Sequence, residues 1–133
     1  MIDLCYFGTI RAWVGVSMDI PVNLFDAWPV DTAQESFQDL LRVPGLRIER
    51  IVSHGQCSPP GFWYDQDWDE WVVVLQGEAV LHIEGEAAPR TLAPGDHCWL
   101  PRACRHRVER TAPSGPTVWL AVHRAAVPDA DGA

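Results

Sequence analysis

The segment from Phe62 to Trp71 concentrates the residues of this sequence that could do chemistry. It interleaves aromatic rings with carboxylates, and near its end Glu70 stands between Asp69 and Trp71, where an apolar run begins. A carboxylate entering an apolar strand is costly to bury without a partner, so Glu70 is either hydrogen-bonded or used in acid–base or ligand chemistry. The rings could form a mouth that stacks on a sugar or another flat ligand, and the acids could equally form a solvated face.

Short strands are the elements that must position these side chains. Apolar or alternating runs, separated by Gly and Pro turns, recur about every ten residues after residue 45, which is typical of an antiparallel sandwich or barrel. Within one of them, alternation puts His82 on the solvent side. The predicted strands cover residues 46–53, 71–75, 79–84, 90–92, 97–100, 105–109 and 117–123.

One short helix is predicted before the strands, over residues 32–42. Thr32 and Glu35 have the spacing of a capping box, and an apolar stripe follows at helical spacing. The turn at Pro44 and Gly45 would end this helix. We therefore divide the chain into an N-terminal extension (1–44), a barrel (45–124) and a flexible tail (125–133), and leave the role of residues 1–17 open.

The composition narrows the class of partner. The formal net charge is −8, which argues against nucleic acid and anionic membranes, because both require a basic surface. The sequence has no apolar stretch of about twenty residues and no secretory leader pattern. Its four cysteines include no C-x-x-C pair, so a cysteine-based zinc site is not expected. We expect a cytoplasmic protein that acts on a small molecule.

The segment from Gly95 to Arg110 resembles the second sequence motif of the cupin superfamily, G-x5-P-x-G-x2-H-x3-N. Gly95, Pro101 and His106 match this motif in register, Ala103 replaces its last glycine, and Arg110 replaces its asparagine. The resemblance extends over roughly residues 45–124. It implies an all-β fold, an antiparallel double-stranded β-helix or jelly-roll barrel, here with one short N-terminal helix.

The first cupin motif, G-x5-H-x-H-x3-4-E-x6-G, is matched only in its second half. Glu70 and Gly77 have the expected spacing, whereas Tyr64 and Gln66, or Trp63 and Asp65, stand where the two histidines belong. The family's metal site uses three imidazoles and one carboxylate, which suit Zn, Fe, Mn or Ni. By resemblance, Glu70 and His106 carry over. The substitutes we name are Gln66, Tyr64, Asp65, Asp67, His54 and His123.

Three functions are compatible with these features. The first is a small-molecule enzyme, an isomerase, lyase or oxygenase, dependent on a divalent metal; the second is a metal-free ligand-binding or sensing module; the third is a structural homodimer, an assembly common in cupins. We predict three roles for the site residues. The catalytic residues are Glu70 and Tyr64, the ligand-binding residues are Trp63, Trp68 and Gln66, and the metal ligands are His106, Glu70, His54 and Gln66.

Overall fold

Eight β-strands form the regular structure of residues 23–28 and 31–126, the part of the chain that this computed structural model describes. No helix occurs in these residues, and hence none long and apolar enough to cross a membrane. The strands are β1 (Ser36–Val43), β2 (Leu46–Ser53), β3 (Asp69–Gln76), β4 (Ala79–Ile83), β5 (Arg90–Leu92), β6 (His97–Leu100), β7 (His106–Thr111) and β8 (Thr117–Arg124). Each of the seven strands predicted from the sequence is present, with ends that differ by at most two residues.

The strands form two antiparallel sheets. The larger sheet has the order β1-β2-β8-β3-β6 and the smaller one the order β5-β4-β7. The two sheets enclose an apolar core to which both contribute, including Ile51, Val74 and Trp119 from the larger sheet and Leu81 and Val108 from the smaller. The all-β, jelly-roll prediction is confirmed.

The predicted helix over residues 32–42 is wrong, because most of this stretch forms β1. The capping-box residue Glu35 accepts a hydrogen bond from the Ser53 hydroxyl at 2.6 Å. Phe37 pairs with Ile51 of β2 and packs against the core. The long-range strand ladder and this burial outweigh a local capping preference, which is worth only about 1 kcal/mol. The sheet thus starts upstream of residue 45.

The outer face of the larger sheet is partly covered by residues 23–28. Arg50, on β2, is 1% exposed and donates to the carbonyl oxygens of Leu24 (3.1 Å), Asp26 (2.6 Å) and Ala27 (3.2 Å). It also donates to Gln38 Oε1 on β1 at 2.6 Å. This guanidinium therefore has a structural role. Residues 1–17, and most of the tail predicted over 125–133, lie outside the described residues.

Candidate functional site

One end of the larger sheet carries a row of polar side chains on its inner face. Arg47 on β2 pairs with His123 on β8, and His123 pairs in turn with Glu70 on β3. Residues paired directly across antiparallel strands point to the same face of a sheet. Because the inner face also carries Ile51 and Trp119, this row faces the barrel interior.

Glu70 is fully buried in this row. Its Oε1 accepts a hydrogen bond from Gln66 Nε2 at 2.8 Å. Burial by itself raises the pKa of Glu70, but nearby positive charge and the hydrogen bond from Gln66 outweigh this effect, and the resulting pKa lies below the ordinary value. Glu70 is therefore an ionised carboxylate inside the barrel at neutral pH.

His106 approaches Glu70 from the smaller sheet. Its Nδ1 lies 2.9 Å from the carbonyl oxygen of Cys104. A carbonyl only accepts hydrogen bonds, so Nδ1 carries the proton and Nε2 presents a lone pair. Burial lowers the pKa of His106, which keeps the ring neutral at pH 7. Nε2 is buried, makes no hydrogen bond to the described residues, and lies 3.9 Å from Glu70 Oε1.

Tyr64 contacts the His106 ring and its backbone. The two rings stack with centroids 5.3 Å apart and planes inclined by 21°. Their backbones also form a bridge, with Tyr64 N donating to the His106 carbonyl at 2.7 Å and His106 N donating to the Tyr64 carbonyl at 3.2 Å. The orientation of the His106 imidazole is thus fixed by its backbone, its Nδ1 hydrogen bond and its ring contact.

Glu70 and His106 therefore face each other as two hydrogen-bond acceptors. An ionised carboxylate and a neutral imidazole nitrogen at 3.9 Å share no hydrogen atom. A ligand hydroxyl placed between them could donate its one hydrogen to either atom, and Oε1 would then accept it in addition to the hydrogen bond from Gln66. This arrangement is suited to binding a donor group and to moving a proton.

A second buried pair continues the row. His123 Nε2 lies 3.1 Å from Glu49 Oε2, and the two side chains are 3% and 1% exposed. Arg47 Nη2 lies 3.9 Å from the same Glu49 oxygen. Sequence reasoning named His123 but missed Arg47 and Glu49. Their alternation with Ile48 and Arg50 on a predicted strand was the signal that could have found them, since it puts both on the face of Ile51.

Three residues predicted for the site lie elsewhere. His54 follows Ser53, which pairs with Thr117, so it lies beyond the opposite end of β2 from the Arg47–His123 pair. Trp63 contacts the His82 ring at 5.3 Å and Arg105 at 5.6 Å, on the outer face of the smaller sheet. Alternation explains this position, because its neighbour Tyr64 points inward. Trp68 is 37% exposed. The interior thus combines Tyr64, Gln66, Glu70 and His106 from the predicted set.

The donors in this interior do not fit a resident metal ion. Of the four predicted ligands, His54 is remote, and Gln66 is a neutral amide whose nitrogen donates to Glu70. Across residues 23–28 and 31–126, no group of three or more His, Cys, Asp or Glu side chains could hold a metal. Glu70 and His106 are the imidazole and carboxylate donors that remain, and two such donors are fewer than the three or four that hold catalytic transition metals.

Comparison with known proteins identifies the family. Residues 50–123 match the family model for the cupin domain, Cupin_2. The chain belongs to the cupin family. A solved structure from Ralstonia eutropha JMP134, described as a proposed mannose-6-phosphate isomerase, is similar with a TM-score of 0.76 and 56% identity, over 78% of this cupin and 96% of that chain. No curated protein sequence matches the chain.

More distant structures share the fold of this cupin. A cupin superfamily protein from Desulfitobacterium hafniense DCB-2 is 18% identical, with a TM-score of 0.61, over 74% of this chain and 84% of that one. The DMSP lyase DddQ from Ruegeria pomeroyi DSS-3 is 24% identical, with a TM-score of 0.54, over 70% of this chain and 48% of that one. Both similarities concern the fold alone.

Two positions of the cupin motifs have a backbone explanation. Gly77 has a φ of 86°, and a Cβ there would lie 2.6 Å from the Pro116 carbonyl oxygen, so a side chain is excluded. Ala103, which replaces the last motif glycine, has a φ of 63°. This left-handed conformation turns the chain just before Cys104, whose carbonyl orients His106.

Proposed function

We propose that this cupin binds a small hydroxylated organic molecule between Glu70 and His106 and moves protons on it without a resident metal. The observation that carries the proposal is the pair of buried acceptors 3.9 Å apart, Glu70 Oε1 and His106 Nε2. A ligand hydroxyl would donate to one of them, and the other would face a neighbouring hydrogen of the ligand. The reaction class that uses such a pair is isomerisation of a hydroxy aldehyde or ketone.

In this reaction each acceptor carries one proton. Glu70 would take the proton from the carbon that bears the hydroxyl and return it to the former carbonyl carbon. His106 Nε2 would take the hydroxyl proton and deliver it to the former carbonyl oxygen. Tyr64 would hold the imidazole through its stacked ring, and Gln66 would hold the carboxylate through its hydrogen bond. The proposed sugar-phosphate isomerase activity of the 56% identical relative supports this class.

The test is binding and turnover with a panel of hexoses. Thermal shift would report binding, and NMR would follow conversion between an aldose and its ketose. We expect wild type and a His54→Gln control to bind and convert the same member of the panel. Glu70→Gln and His106→Gln should lose turnover by at least about a hundredfold, the usual effect of removing an acid–base group. Turnover retained by Glu70→Gln would contradict the proposal.

Binding without turnover would favour the second function, a ligand-binding or sensing module. The residues that bind would be unchanged, and only the catalytic part of the proposal would fall. Isothermal titration of the hexose against Glu70→Gln should show weaker binding in either case, so conversion by wild type, followed by NMR, separates the two functions.

A divalent metal is the other candidate occupant. The hydrogen bond from His106 Nδ1 to the Cys104 carbonyl is the kind that orients metal-ligating imidazoles. Elemental analysis of untagged protein decides this point. We expect Zn, Fe, Mn and Ni all to be far below one ion per chain, since two protein donors bind weakly. Stoichiometric metal that is lost in both Glu70→Ala and His106→Ala would overturn the metal-free proposal.

A further inference from the structure

We propose that Arg47, beside His123 on the inner face of the larger sheet, forms a subsite for an anionic group, a phosphate or a carboxylate, on the ligand of this cupin. The inference rests on the function proposed above, because it names the ligand class of the same interior. It depends on the row Arg47–His123–Glu70, which places a cationic group at one end of the ligand and the reactive carboxylate at the other.

Arg47 has donor capacity that the fold does not use. Its Nε is buried and makes no hydrogen bond to any residue in 23–28 or 31–126. Arg47 forms an ion pair with Glu49, in which Glu49 Oε2 lies 3.9 Å from Arg47 Nη2. This distance is too long for a hydrogen bond. The side chain as a whole is 22% exposed, so part of it is accessible from solvent at this end of the barrel.

Other arginines of the same sheet show what a structural guanidinium looks like here. Arg50 donates four hydrogen bonds to oxygen acceptors. Arg42 pairs with Arg47 across β1 and β2, and its Nε donates to Asp39 Oδ2 at 3.2 Å. Arg47 differs from both, because among the described residues it has an acid at ion-pair distance and no hydrogen-bond acceptor. Its planar fork matches the oxygens of a phosphate or a carboxylate.

Glu49 lies next to both Arg47 and His123. Its Oε2 accepts from His123 Nε2 at 3.1 Å and lies 3.9 Å from Arg47 Nη2. One buried carboxylate thereby holds both nitrogen-bearing side chains on the inner face. Because His123 donates from Nε2 to Glu49, Nδ1 of the neutral ring is an acceptor. Arg47 is thus the donor of the subsite, and His123 forms its neighbouring wall.

The spacing of the strands sets the size of the ligand. Arg47 and Glu70 are separated by one intervening strand, so their backbones lie roughly 10 Å apart. Glu70 repels an anion, and Arg47 attracts it, which fixes the direction in which the ligand binds. The ligand class is therefore a small hydroxylated molecule whose anionic group lies several bonds from the reacting carbons.

The test compares a neutral hexose, its 6-phosphate, the corresponding hexuronic acid and inorganic phosphate by isothermal titration at one pH. Wild type should bind the phosphate or the uronate about tenfold or more tightly than the neutral hexose. Arg47→Gln should abolish this preference, and Arg47→Lys should retain part of it. Arg42→Gln, a matched loss of charge on the same row, should leave it intact. Glu70→Gln should weaken neutral and anionic ligands alike.

The outcomes separate this proposal from the function it rests on. If the neutral hexose binds and the anionic forms bind no better, the subsite is overturned and the proposed function stands. If inorganic phosphate binds in an Arg47-dependent way while no hexose binds, the subsite stands and the proposed function falls. A preference that persists in Arg47→Gln, or no binding of any of the four ligands by wild type, overturns the subsite. If Arg47→Gln does not fold, unchanged affinity in Arg47→Lys, which loses the fork, would overturn it.

Discussion

The inner face of the larger sheet has two halves that are equally buried and chemically opposite. The same three strands, β2, β8 and β3, supply both. Each strand changes from apolar to polar side chains toward the same end of the sheet, and no residue in either set is more than 3% exposed. The apolar set is Ile51, Trp119 and Val74, and the polar set is Glu49, His123 and Glu70.

The two halves contribute differently to the stability of the fold. Burying the apolar half stabilises the barrel directly, at about 25 cal/mol per Å² of surface removed from water. Burying carboxylates and imidazoles costs free energy unless each finds a partner, and the polar half meets this cost with the Glu70–Gln66 hydrogen bond and the Glu49–His123 pair. The polar half therefore adds little to the stability of the fold, and this supports the proposal that it binds a ligand.

The largest effect should come from the apolar half. Trp119→Ala would remove a fully buried ring and the hydrogen bond that its Nε1 donates to Ser53 Oγ at 3.1 Å. We expect the free energy of unfolding to fall by about 3–5 kcal/mol, measured by urea denaturation. Ligand affinity of the fraction that remains folded should change little. A parallel loss of affinity would show that the two halves are not separable.

The next effect concerns the Glu49–His123 pair. Glu49→Leu alone should lower the free energy of unfolding by about 2–4 kcal/mol, because it leaves His123 buried without its carboxylate. The double variant with His123→Leu should be more stable than the single one, since the buried pair is then replaced by apolar side chains. A double-mutant cycle measures this coupling. Additive losses would mean that the pair contributes independent contacts.

A smaller effect is expected from pH. The pKa of His106 is lowered in the folded state, so its contribution to stability is complete above the unfolded pKa of about 6.5 and declines as the pH falls toward the folded pKa. Wild type should therefore lose up to about 1.4 kcal/mol more than His106→Gln between pH 7.5 and 5.5. Urea denaturation at the two pH values checks this. Equal losses in both proteins would mean that His106 is not buried in its neutral form.

The smallest effect should appear at the turn that precedes His106. Ala103→Gly would relieve a left-handed residue, φ 63°, and should raise the free energy of unfolding by about 0.5–1 kcal/mol. Greater freedom of glycine in the unfolded chain opposes part of this gain. Because the turn is unchanged, ligand affinity should stay within about twofold. Destabilisation would show that the alanine methyl makes contacts that outweigh its strain.

Much of the barrel was predictable from the sequence because strand signals are local. Alternation and Gly/Pro turns located seven strands, and the motif spacing Gly95, Pro101 and His106 indicated the family. The first strand was not predicted. Residues 36–43 carry a helical apolar spacing, and only pairing with β2, a long-range interaction, makes them a strand.

The candidate site was predictable only where a motif or a face could be assigned. Glu70, His106, Tyr64 and Gln66 share the interior as the motif register implied. His54 was included because it is a histidine at a strand end, and the sequence does not say which ends of neighbouring strands meet. Arg47 and Glu49 belong to ordinary strand alternation, and their roles depend on the register of β2 against β8.

Arg50 determines where a shortened version of this protein can begin. The region that matches the family model starts at residue 50, and the first strand starts at Ser36. A fragment cut to either boundary would remove the three backbone carbonyls, from Leu24, Asp26 and Ala27, that receive this buried guanidinium. In a fragment cut at Ser36 its charge would then lie on the outer face of β2 with the Gln38 side chain as an acceptor, and a fragment cut at residue 50 would lose Gln38 as well. The smallest piece worth expressing for crystallisation or NMR therefore starts before residue 24.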